Sequence, residues 1–500
     1  IAFLILFIAG INFTNLTTSL IPLRLKTINT HRVLGCSIYK LRAISLIESI
    51  VICLISYILA LFIVNDLSYT PIANWVDADI RLSQYKGLIL LTALIAILTG
   101  CLAGLYPAIR STSYAPALVL KGSFGLSPKG KKVRVALIGF QYTVSIALII
   151  VTLFMGLQNH FMTSSEQLGF NKDQVAIVNL TPEIYAKHKP QYIQKLKDYP
   201  GIEDVAFSVY ELSKEDDMID LEYARHEDKD VFFKVFYASE NFLSVMDIQV
   251  EEGRDFTRED LNKAQSDYII NPAAERDFHL HPGDRFNDRT VLGVSKDFRF
   301  NSCRIASSPF VFALNNDIPN PKLVSYIRFN SKTNLQEAVA HVRETLKEID
   351  PTFPFEISFY NTILNNLYQK EQTLGKLISL FGIMAILISI VGVFGLVLFE
   401  TQYRRKEIGI RKINGATTGQ ILLMFNKTYI RIVSVCFIIS IPIAWMGTQQ
   451  WLENFAYKTP LHLWVFIVAF LIILSVTIGT VTFRNWQAAN ENPVNSVKSE

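Results

Sequence analysis

Residues 377–399 read LISLFGIMAILISIVGVFGLVLF, an apolar run without a charged side chain. A helix of about 20 residues crosses roughly 30 Å of hydrocarbon, so this run is long enough to span a membrane. A strongly basic segment that begins at Arg404 follows it. The stretch therefore predicts a transmembrane helix that ends at a basic loop.

Six further apolar runs predict the same kind of helix, at residues 1–22, 43–64, 87–109, 135–157, 429–447 and 461–483. The composition agrees, since 50% of the 500 residues are hydrophobic and only 18% are charged, against about 25% in soluble domains. Aromatic residues are too many for a disordered chain, and five cysteines are too few for a disulfide scaffold. Buried helices of a large soluble protein are the alternative, but several runs exceed about 20 residues without a charge.

Charge is distributed very unevenly along the chain. Residues 158–373 hold 35 acidic and 24 basic side chains, whereas the other 284 residues hold 9 acidic and 24 basic ones. The central stretch therefore predicts a water-exposed domain with a net charge of −11, inserted between membrane helices. An alternating pattern at residues 174–180, short strand candidates such as residues 323–329 and the amphipathic stretch 335–349 predict an α+β fold for it. From residue 360 onward we expect either one continuous helix into the membrane or a hinge near Gly375.

Three short loops are almost purely basic, and loops of this kind stay on the cytoplasmic side of a membrane. They are residues 23–42, 110–134 and 401–420, whereas residues 65–86 contain three acidic side chains and two basic ones. The bias places the basic loops inside the cell and the acidic domain outside it.

An internal repeat relates the two ends of the chain. A shift of 380 positions superposes Arg24, Lys26 and Ile28 on Arg404, Lys406 and Ile408, and residues 31–35 on residues 411–415. A shift of 377 superposes residues 116–121 on residues 493–498. The first half shows three helices and opens at Ile1 within an apolar run, so we expect a further helix and another external domain before it.

Several strings together resemble the permease subunits of the MacB/FtsX/LolC class of ABC transporters, in the tandem eight-helix form common in Bacteroidetes-like bacteria. The most specific is KEIGIRKINGA at residues 406–416, between two membrane helices. The others are FQYTVSI (140–146), LGFNKDQ (168–174), GRDF (253–256), VLGVSKDF (291–298) and PFE (354–356).

The resemblance implies a multi-pass α-helical membrane protein with an inserted MacB-like periplasmic core domain. The implied first FtsX-like domain comprises a helix (1–22), a cytoplasmic coupling loop (23–42) and two helices (43–109), followed by a basic linker (110–134). The second half then comprises a helix (135–157), the periplasmic domain (158–373), a helix (374–400), a coupling loop (401–428), two helices (429–483) and a cytoplasmic tail (484–500).

The resemblance also implies mechanotransmission, in which a separate cytoplasmic ATPase dimer pushes on the coupling loops and long helices relay the motion to the periplasm. ATP and Mg²⁺ are then bound by the partner, and this chain has no catalytic residue or cofactor. A periplasmic adaptor, an outer-membrane channel and membrane lipid are further implied partners, and nucleic acid is not. The implied ATPase-coupling residues are Arg404, Arg405, Lys406, Glu407, Ile408, Gly409, Arg411, Lys412 and Gly415, with Lys26, Arg32 and Gly35 in the first half.

The residues alone leave a simpler alternative, in which these basic side chains only orient the helices at lipid headgroups. On a short helix, Glu407 is spaced to pair with Arg411. In the first copy Thr27, Ile28 and Asn29 stand where the second has Glu407, Ile408 and Gly409. We therefore expect the first coupling loop to contribute less to ATPase coupling.

Other sites fit the residues less well. Residues 125–131 match a phosphate-binding loop, but Lys132 stands where Ser or Thr would bind Mg²⁺ and a membrane helix follows. His279 and His281 form an alternating pair without a nearby cysteine, which is typical of a surface loop. Acidic clusters such as residues 215–217 and 251–252 are typical of solvated loops. We predict no metal site.

The resemblance implies a subunit of the bacterial inner membrane whose work on the periplasmic side is export or extraction of a drug, peptide, lipid or lipoprotein. Two other functions are compatible with the residues. One is an FtsX-like regulator that activates a periplasmic cell-wall hydrolase, and the other is a membrane-bound enzyme, for which the sequence offers no catalytic constellation.

Overall fold

The computed structural model describes residues 2–70, 73, 81–114, 128–164, 168–213, 220–263, 265–299, 301–314 and 323–490. The chain forms two compact units. The membrane unit comprises Ile1–Gly156, Thr373–Trp451 and Pro460–Glu500, and the α+β unit comprises Leu157–Gln372 and Leu452–Thr459.

Seven helices in the described part of the chain are long and apolar enough to cross a membrane. Their surfaces expose large apolar side chains, such as Phe62 at 69% and Leu90 at 74%, which suits contact with lipid rather than water. The predicted multi-pass helical fold is thus confirmed. The helices are α1 (Ala2–Val33), α2 (Ile38–Leu67), α3 (Lys86–Ser111), α4 (Pro128–Thr163), α10 (Gln369–Tyr403), α12 (Thr418–Leu452) and α13 (Leu463–Asn490).

The non-helical connections at the basic loops are shorter than the loops predicted from the ends of the apolar runs. Helix α1 continues to Val33 and α2 begins at Ile38, so most of residues 23–42 are helical. In the second half a short helix, α11 (Arg405–Ile413), lies between α10 and α12. Arginine, lysine, leucine and isoleucine tolerate helix well, and the helix ends only where glycine follows, at Gly35 or Gly415.

The α+β unit is built on one mixed sheet, and the predicted α+β class is confirmed. Eleven strands in the described residues form it, with the order β11-β1-β10-β2-β4-β9-β6-β8-β5, while β3 pairs with β4 and β7 with β8. The strands are β1 (Val175–Leu180), β2 (Ile202–Ser208), β3 (Asp220–His226), β4 (Lys229–Ala238), β5 (Val250–Gly253), β6 (Tyr268–Ile270), β7 (Arg285–Phe286), β8 (Arg289–Ser295), β9 (Phe310–Leu314), β10 (Leu323–Phe329) and β11 (Ile357–Phe359).

Short helices cover this sheet and bury its apolar side chains. On one side, Val342 and Leu346 of an amphipathic helix pack with Ile327 of β10. A second cluster centres on Phe236, Phe242 and Phe312. The helices are α5 (Lys189–Lys197), which follows a π-helical turn at Ile184–His188, α6 (Phe242–Met246), α7 (Pro272–Phe278), α8 (Leu335–Ile349) and α9 (Tyr360–Leu367).

The stretch that follows residue 360 is neither one continuous helix nor hinged at Gly375. Helix α9 ends at Leu367 and α10 begins at Gln369, with Tyr368 between them at φ −108° and ψ 15°. The Tyr368 side chain is buried, its hydroxyl accepts from the Cys303 backbone N–H at 3.1 Å and it lies 3.3 Å from Cys303 Sγ. The interruption of the helix at Tyr368 accompanies this tertiary contact. No glycine or proline in the sequence predicts it.

Candidate functional site

The second elbow, which we define as residues 404–416, is held to its neighbouring helices by charged side chains. The Arg404 guanidinium lies 2.9 Å from Glu400 Oε1 and 5.7 Å from the centre of the Phe425 ring. Tyr429 donates to the other oxygen of Glu400 at 3.2 Å. Because Glu400 is on α10 and both aromatic residues are on α12, Arg404 joins the two helices that flank the elbow.

Helix α11 within this elbow has a buried side and an exposed end. Ile408 is 3% exposed, whereas Ile410 and Ile413 are 55% and 65% exposed. The expected ion pair is present, with Arg411 donating to Glu407 Oε1 at 2.9 and 3.1 Å. An exposed pair of this kind stabilises an isolated helix by only about 0.3–0.5 kcal/mol, so its larger effect is to orient the two charges on the helix surface.

The remaining predicted residues of the second elbow occupy the same short helix and its end. Gly409 is buried, and Gly415 takes the left-handed conformation at φ +85°. Lys412 is partly buried in the last turn. Arg405 and Lys406 form the first turn of α11, and their side chains, like that of Lys26 in α1, lie outside the described part of the structure.

The first elbow, residues 24–36, repeats the hydrogen bonds of the second with the same spacing. Cys36 N–H donates to His31 O at 2.9 Å, as Ala416 N–H does to Arg411 O. Gly35, at φ +90°, donates to Arg32 O at 3.0 Å, as Gly415 does to Lys412 O. These two bonds together cap the carbonyls at a helix end, and glycine permits the required left-handed backbone.

The repetition extends to the start of the next helix and to the exposed end of the elbow. Ser37 Oγ accepts from Lys40 N–H at 3.4 Å, and its counterpart Thr417 accepts from Gln420 N–H at 3.3 Å. Val33, the counterpart of Ile413, is likewise 65% exposed. Each elbow therefore presents a branched aliphatic side chain at the same position of the same turn.

The charges of the first elbow have a different arrangement. Arg32 donates to the carbonyl oxygens of Thr112 and Tyr114, at 3.2 and 2.7 Å, just beyond the end of α3. Arg24 pairs with Glu48 of α2 at 2.8 Å. The Arg32 guanidinium is thus used for hydrogen bonds to carbonyl oxygens of its own chain. In addition, Thr27 stands where the second elbow has Glu407.

The two halves of the membrane unit pack against each other through α1 and α10. Asn12, 8% exposed, donates to Ile388 O at 2.7 Å. Its amide oxygen also lies close to Gly392, at which an added Cβ would be 2.4 Å away. Glycine at this position allows a close approach of the helices, and a side-chain amide among apolar helices needs such a partner.

A second group of contacts, which sequence reasoning missed, holds the docked loop, which we define as Leu452–Thr459 between α12 and α13. Gln158, fully buried, donates to Tyr457 O at 3.0 Å and accepts from Thr459 N–H at 2.8 Å. Tyr457 N–H donates to Cys303 O at 3.1 Å, and the Tyr457 hydroxyl accepts from Ser307 N–H at 3.0 Å.

Two arginines complete the seat of this docked loop in the α+β unit. Arg299 lies 4.2 Å from the centre of the Tyr457 ring, and Arg304 lies 4.8 Å from that of Phe455. Arg304 is itself held by Glu371 at 2.7 Å. In each pair the arginine and the aromatic residue are separated by about 150 positions. A single sequence contains no pattern that predicts such a contact.

The string GRDF at residues 253–256 has a structural role within the α+β unit. Arg254 forms two hydrogen bonds with the buried Asp260, at 2.7 and 2.8 Å, and Gly253 takes φ +79°. Asp260 also accepts from Thr257 N–H at 2.9 Å. The Arg254 guanidinium holds the pKa of Asp260 well below its usual range.

Several of the sequence patterns lie partly or wholly outside the described residues. Of the possible phosphate-binding loop, residues 125–127 lie outside the described residues, as do the acidic residues 215–217 and the repeat strings at residues 116–121 and 493–498. His279 ends α7 in a left-handed conformation.

Comparisons with known proteins agree with the helical arrangement. The model of the family described as FtsX-like permease C-terminal matches residues 1–116 and 379–493. Both stretches are thus similar to FtsX-like permease domains, and they include all or most of six of the seven long apolar helices of the described residues.

Individual relatives are distant. The chain is 25% identical to the macrolide export ATP-binding/permease protein MacB of Aggregatibacter actinomycetemcomitans over 212 residues, which are 40% of this chain and 32% of that protein. It is 25% identical to MacB of Neisseria gonorrhoeae over 223 residues, 42% of this chain and 34% of that one. The chain thus spans about a third of the length of the curated relatives it matches.

Two solved structures are similar to part of the chain. The periplasmic region of MacB from Actinobacillus actinomycetemcomitans matches with a TM-score of 0.30 and 15% identity, covering 40% of this chain and 94% of that one. The extracellular domain of the noncanonic ABC-type transporter YknZ from Gram-positive bacteria matches with a TM-score of 0.28 and 15% identity, covering 37% and 99%.

Proposed function

We propose that this chain is the membrane subunit of an ABC transporter, in which ATP hydrolysis by a separate cytoplasmic ATPase drives conformational work on the periplasmic side. The work is export or extraction of a drug, peptide, lipid or lipoprotein. The observation that carries the proposal is the duplicated elbow, with an exposed aliphatic side chain, a glycine cap and basic residues at equivalent positions.

Each elbow has the features of a docking surface for another protein. Ile410 and Ile413 are exposed apolar side chains beside the charged Arg411, and exposed apolar groups with a polar rim are typical of interaction sites. A rigid, hydrogen-bonded turn can transmit a displacement to the helices on both sides of it. The excess of basic residues in these loops supports their cytoplasmic location, where an ATPase has access to ATP.

One chain supplies two elbows, so two ATPase subunits can bind a single copy of it. The contact of Asn12 with Ile388 and Gly392 supports this stoichiometry, because it already joins the first half to the second within one molecule. We infer that a single chain with two ATPase subunits is the working unit.

The docked loop provides a route for motion in addition to α4 and α10. It belongs to the α+β unit, whereas the helices on either side of it, α12 and α13, belong to the membrane unit. We infer that a displacement of α12 and α13 moves the seat formed by Gln158, Arg299 and Arg304. Mechanical coupling through a hydrogen-bonded loop requires no passage of substrate between the helices.

Reconstitution of the full chain with its ATPase tests the proposal. Ile413→Asp and Val33→Asp should each weaken ATPase binding, whereas Ile305→Asp, at a position 58% exposed in the α+β unit, should not. Unchanged ATPase binding in both elbow variants would refute the docking role. If the ATPase binds but only a cell-wall hydrolase responds to it, the chain is a hydrolase regulator and not an exporter.

A further inference from the structure

Three potential metal ligands that are separated in sequence meet on the surface of the α+β unit. They are Glu252 on β5, Glu275 on α7 and His281 in the turn after α7, and one ligand atom of each lies within 4.8 Å of the other two. His281 Nδ1 is 3.7 Å from Glu275 Oε1. Glu252 and Glu275 are 23 positions apart, so the spacing of these residues in the sequence does not predict the group.

The backbone that presents these ligands is firmly held. Helix α7 is capped by Asn271, whose side chain accepts from Ala274 N–H at 2.9 Å. In the turn, His281 N–H donates to Asp284 Oδ2 at 2.8 Å. On β5, Glu252 pairs with Val294 of β8. The three positions therefore belong to hydrogen-bonded elements, and only the side chains need to adjust.

The charges of the group favour a cation. Two carboxylates at this separation repel each other, and a neighbouring positive charge relieves the repulsion. In the part of the chain that the structure describes, no lysine or arginine forms an ion pair with Glu252 or Glu275; only His281 approaches Glu275. The cluster therefore combines two carboxylates with one imidazole on the surface of the α+β unit.

We propose that Glu252, Glu275 and His281 form a binding site for a divalent transition-metal ion, with Zn²⁺ as the best-matched ion. One imidazole nitrogen and two carboxylates are ligands that Zn²⁺ accepts, at about 2.0–2.2 Å each. Ligand atoms around a tetrahedral ion then lie about 3.3 Å apart, so a contraction by roughly 1.5 Å or less closes the observed group. The fourth position stays open to water or to a donor atom of a bound molecule.

This site does not depend on the transport proposal, and it is tested by metal binding alone. The full chain, purified in detergent with an affinity tag other than polyhistidine and stripped of metal, is titrated with Zn²⁺ by calorimetry. Co²⁺ serves as a spectroscopic probe, because its visible absorption reports tetrahedral coordination. Unfolding temperatures of all variants without metal establish that each one folds.

The matched control is the neighbouring histidine. His281→Asn and Glu275→Gln should each weaken Zn²⁺ binding by about tenfold or more, whereas His279→Asn, which keeps a residue that tolerates the left-handed conformation at φ +52°, should leave it unchanged. Zn²⁺ should also raise the unfolding temperature of the wild type and not that of His281→Asn. Absence of Zn²⁺ binding by the wild type, or equal binding by the two histidine variants, would overturn the proposal.

Discussion

Asn12 and Gly392 face each other across the contact between α1 and α10, and they occupy equivalent positions of the internal repeat, 380 residues apart. A contact between equivalent positions of two copies is what a local two-fold relation between them produces. Asn12 fills the space that the missing side chain of Gly392 leaves.

This relationship predicts a steric effect at Gly392. Gly392→Ala should destabilise the membrane unit by about 1–3 kcal/mol, because its Cβ would lie 2.4 Å from Asn12 Oδ1. Gly447→Ala in α12 is the matched control, since no atom lies within 4 Å of its added Cβ. The unfolding temperatures of the two variants in detergent measure these effects. If both variants lower the unfolding temperature by the same amount, the helix backbone and not the contact with Asn12 is responsible.

The two elbows should contribute unequally to ATPase stimulation. Glu407→Ala removes the partner of Arg411 and should lower stimulation severalfold, whereas Lys26→Ala should have a smaller effect because its elbow lacks the matching acid. ATP turnover by the reconstituted complex measures the difference. Equal losses in the two variants would remove the proposed asymmetry.

Arg32 should contribute to the stability of the membrane unit rather than to ATPase coupling. Arg32→Ala leaves the Thr112 and Tyr114 carbonyl oxygens without their donor and should cost about 1–3 kcal/mol. ATPase stimulation per folded molecule should stay near the wild-type value. A large loss of stimulation with unchanged stability would assign Arg32 to the ATPase contact instead.

The docked loop should be required for motion to reach the α+β unit. Gln158→Met keeps the side-chain volume but leaves Tyr457 O and Thr459 N–H unpaired, so the loop should detach at a cost of about 1–3 kcal/mol per group. We expect ATPase binding to persist while substrate-dependent stimulation falls. Gln194→Met, at an exposed position of α5, is the control, and stimulation that is lost equally in both variants would contradict the role of the loop.

Asp260 should make the α+β unit sensitive to acid. Arg254 lowers the pKa of Asp260 in the folded state, so its contribution is present above the unfolded pKa of about 3.9 and is lost as the pH falls below it. Asp260→Asn should cost about 1.5–3 kcal/mol at pH 7, and the difference from the wild type should shrink below about pH 4. Asp277→Asn, in an exposed pair with Arg276, should change little, and a penalty for Asp260→Asn that does not vary with pH would contradict this assignment.

The sequence predicted the features that depend on local composition. Apolar runs such as residues 377–399 predicted the seven long apolar helices found in the described residues, because length and hydrophobicity decide whether a helix can span lipid. Short runs rich in apolar residues predicted strands such as β1 and β10, whose side chains are largely buried. The spacing of Glu407 and Arg411 predicted their ion pair on a helix.

Features that depend on tertiary contacts could not be predicted. The break at Tyr368 accompanies its contact with Cys303, which is 65 positions away. Strand β2 carries Glu203 and Asp204 early in its length, which obscured its alternation. The docked loop and the group around His281 each join residues whose separation in sequence carries no signal.

The proposed mechanism depends most on which side of the membrane each part of the chain occupies. Single cysteines introduced at Lys347 of α8 and at Asn414 of the second elbow, in a chain without its native cysteines, are exposed to a membrane-impermeant maleimide on intact cells stripped of their outer membrane. We predict that Lys347→Cys reacts at once and that Asn414→Cys reacts only after the inner membrane is permeabilised. Reaction of both positions from the same side would contradict the proposed topology and the mechanism that follows from it.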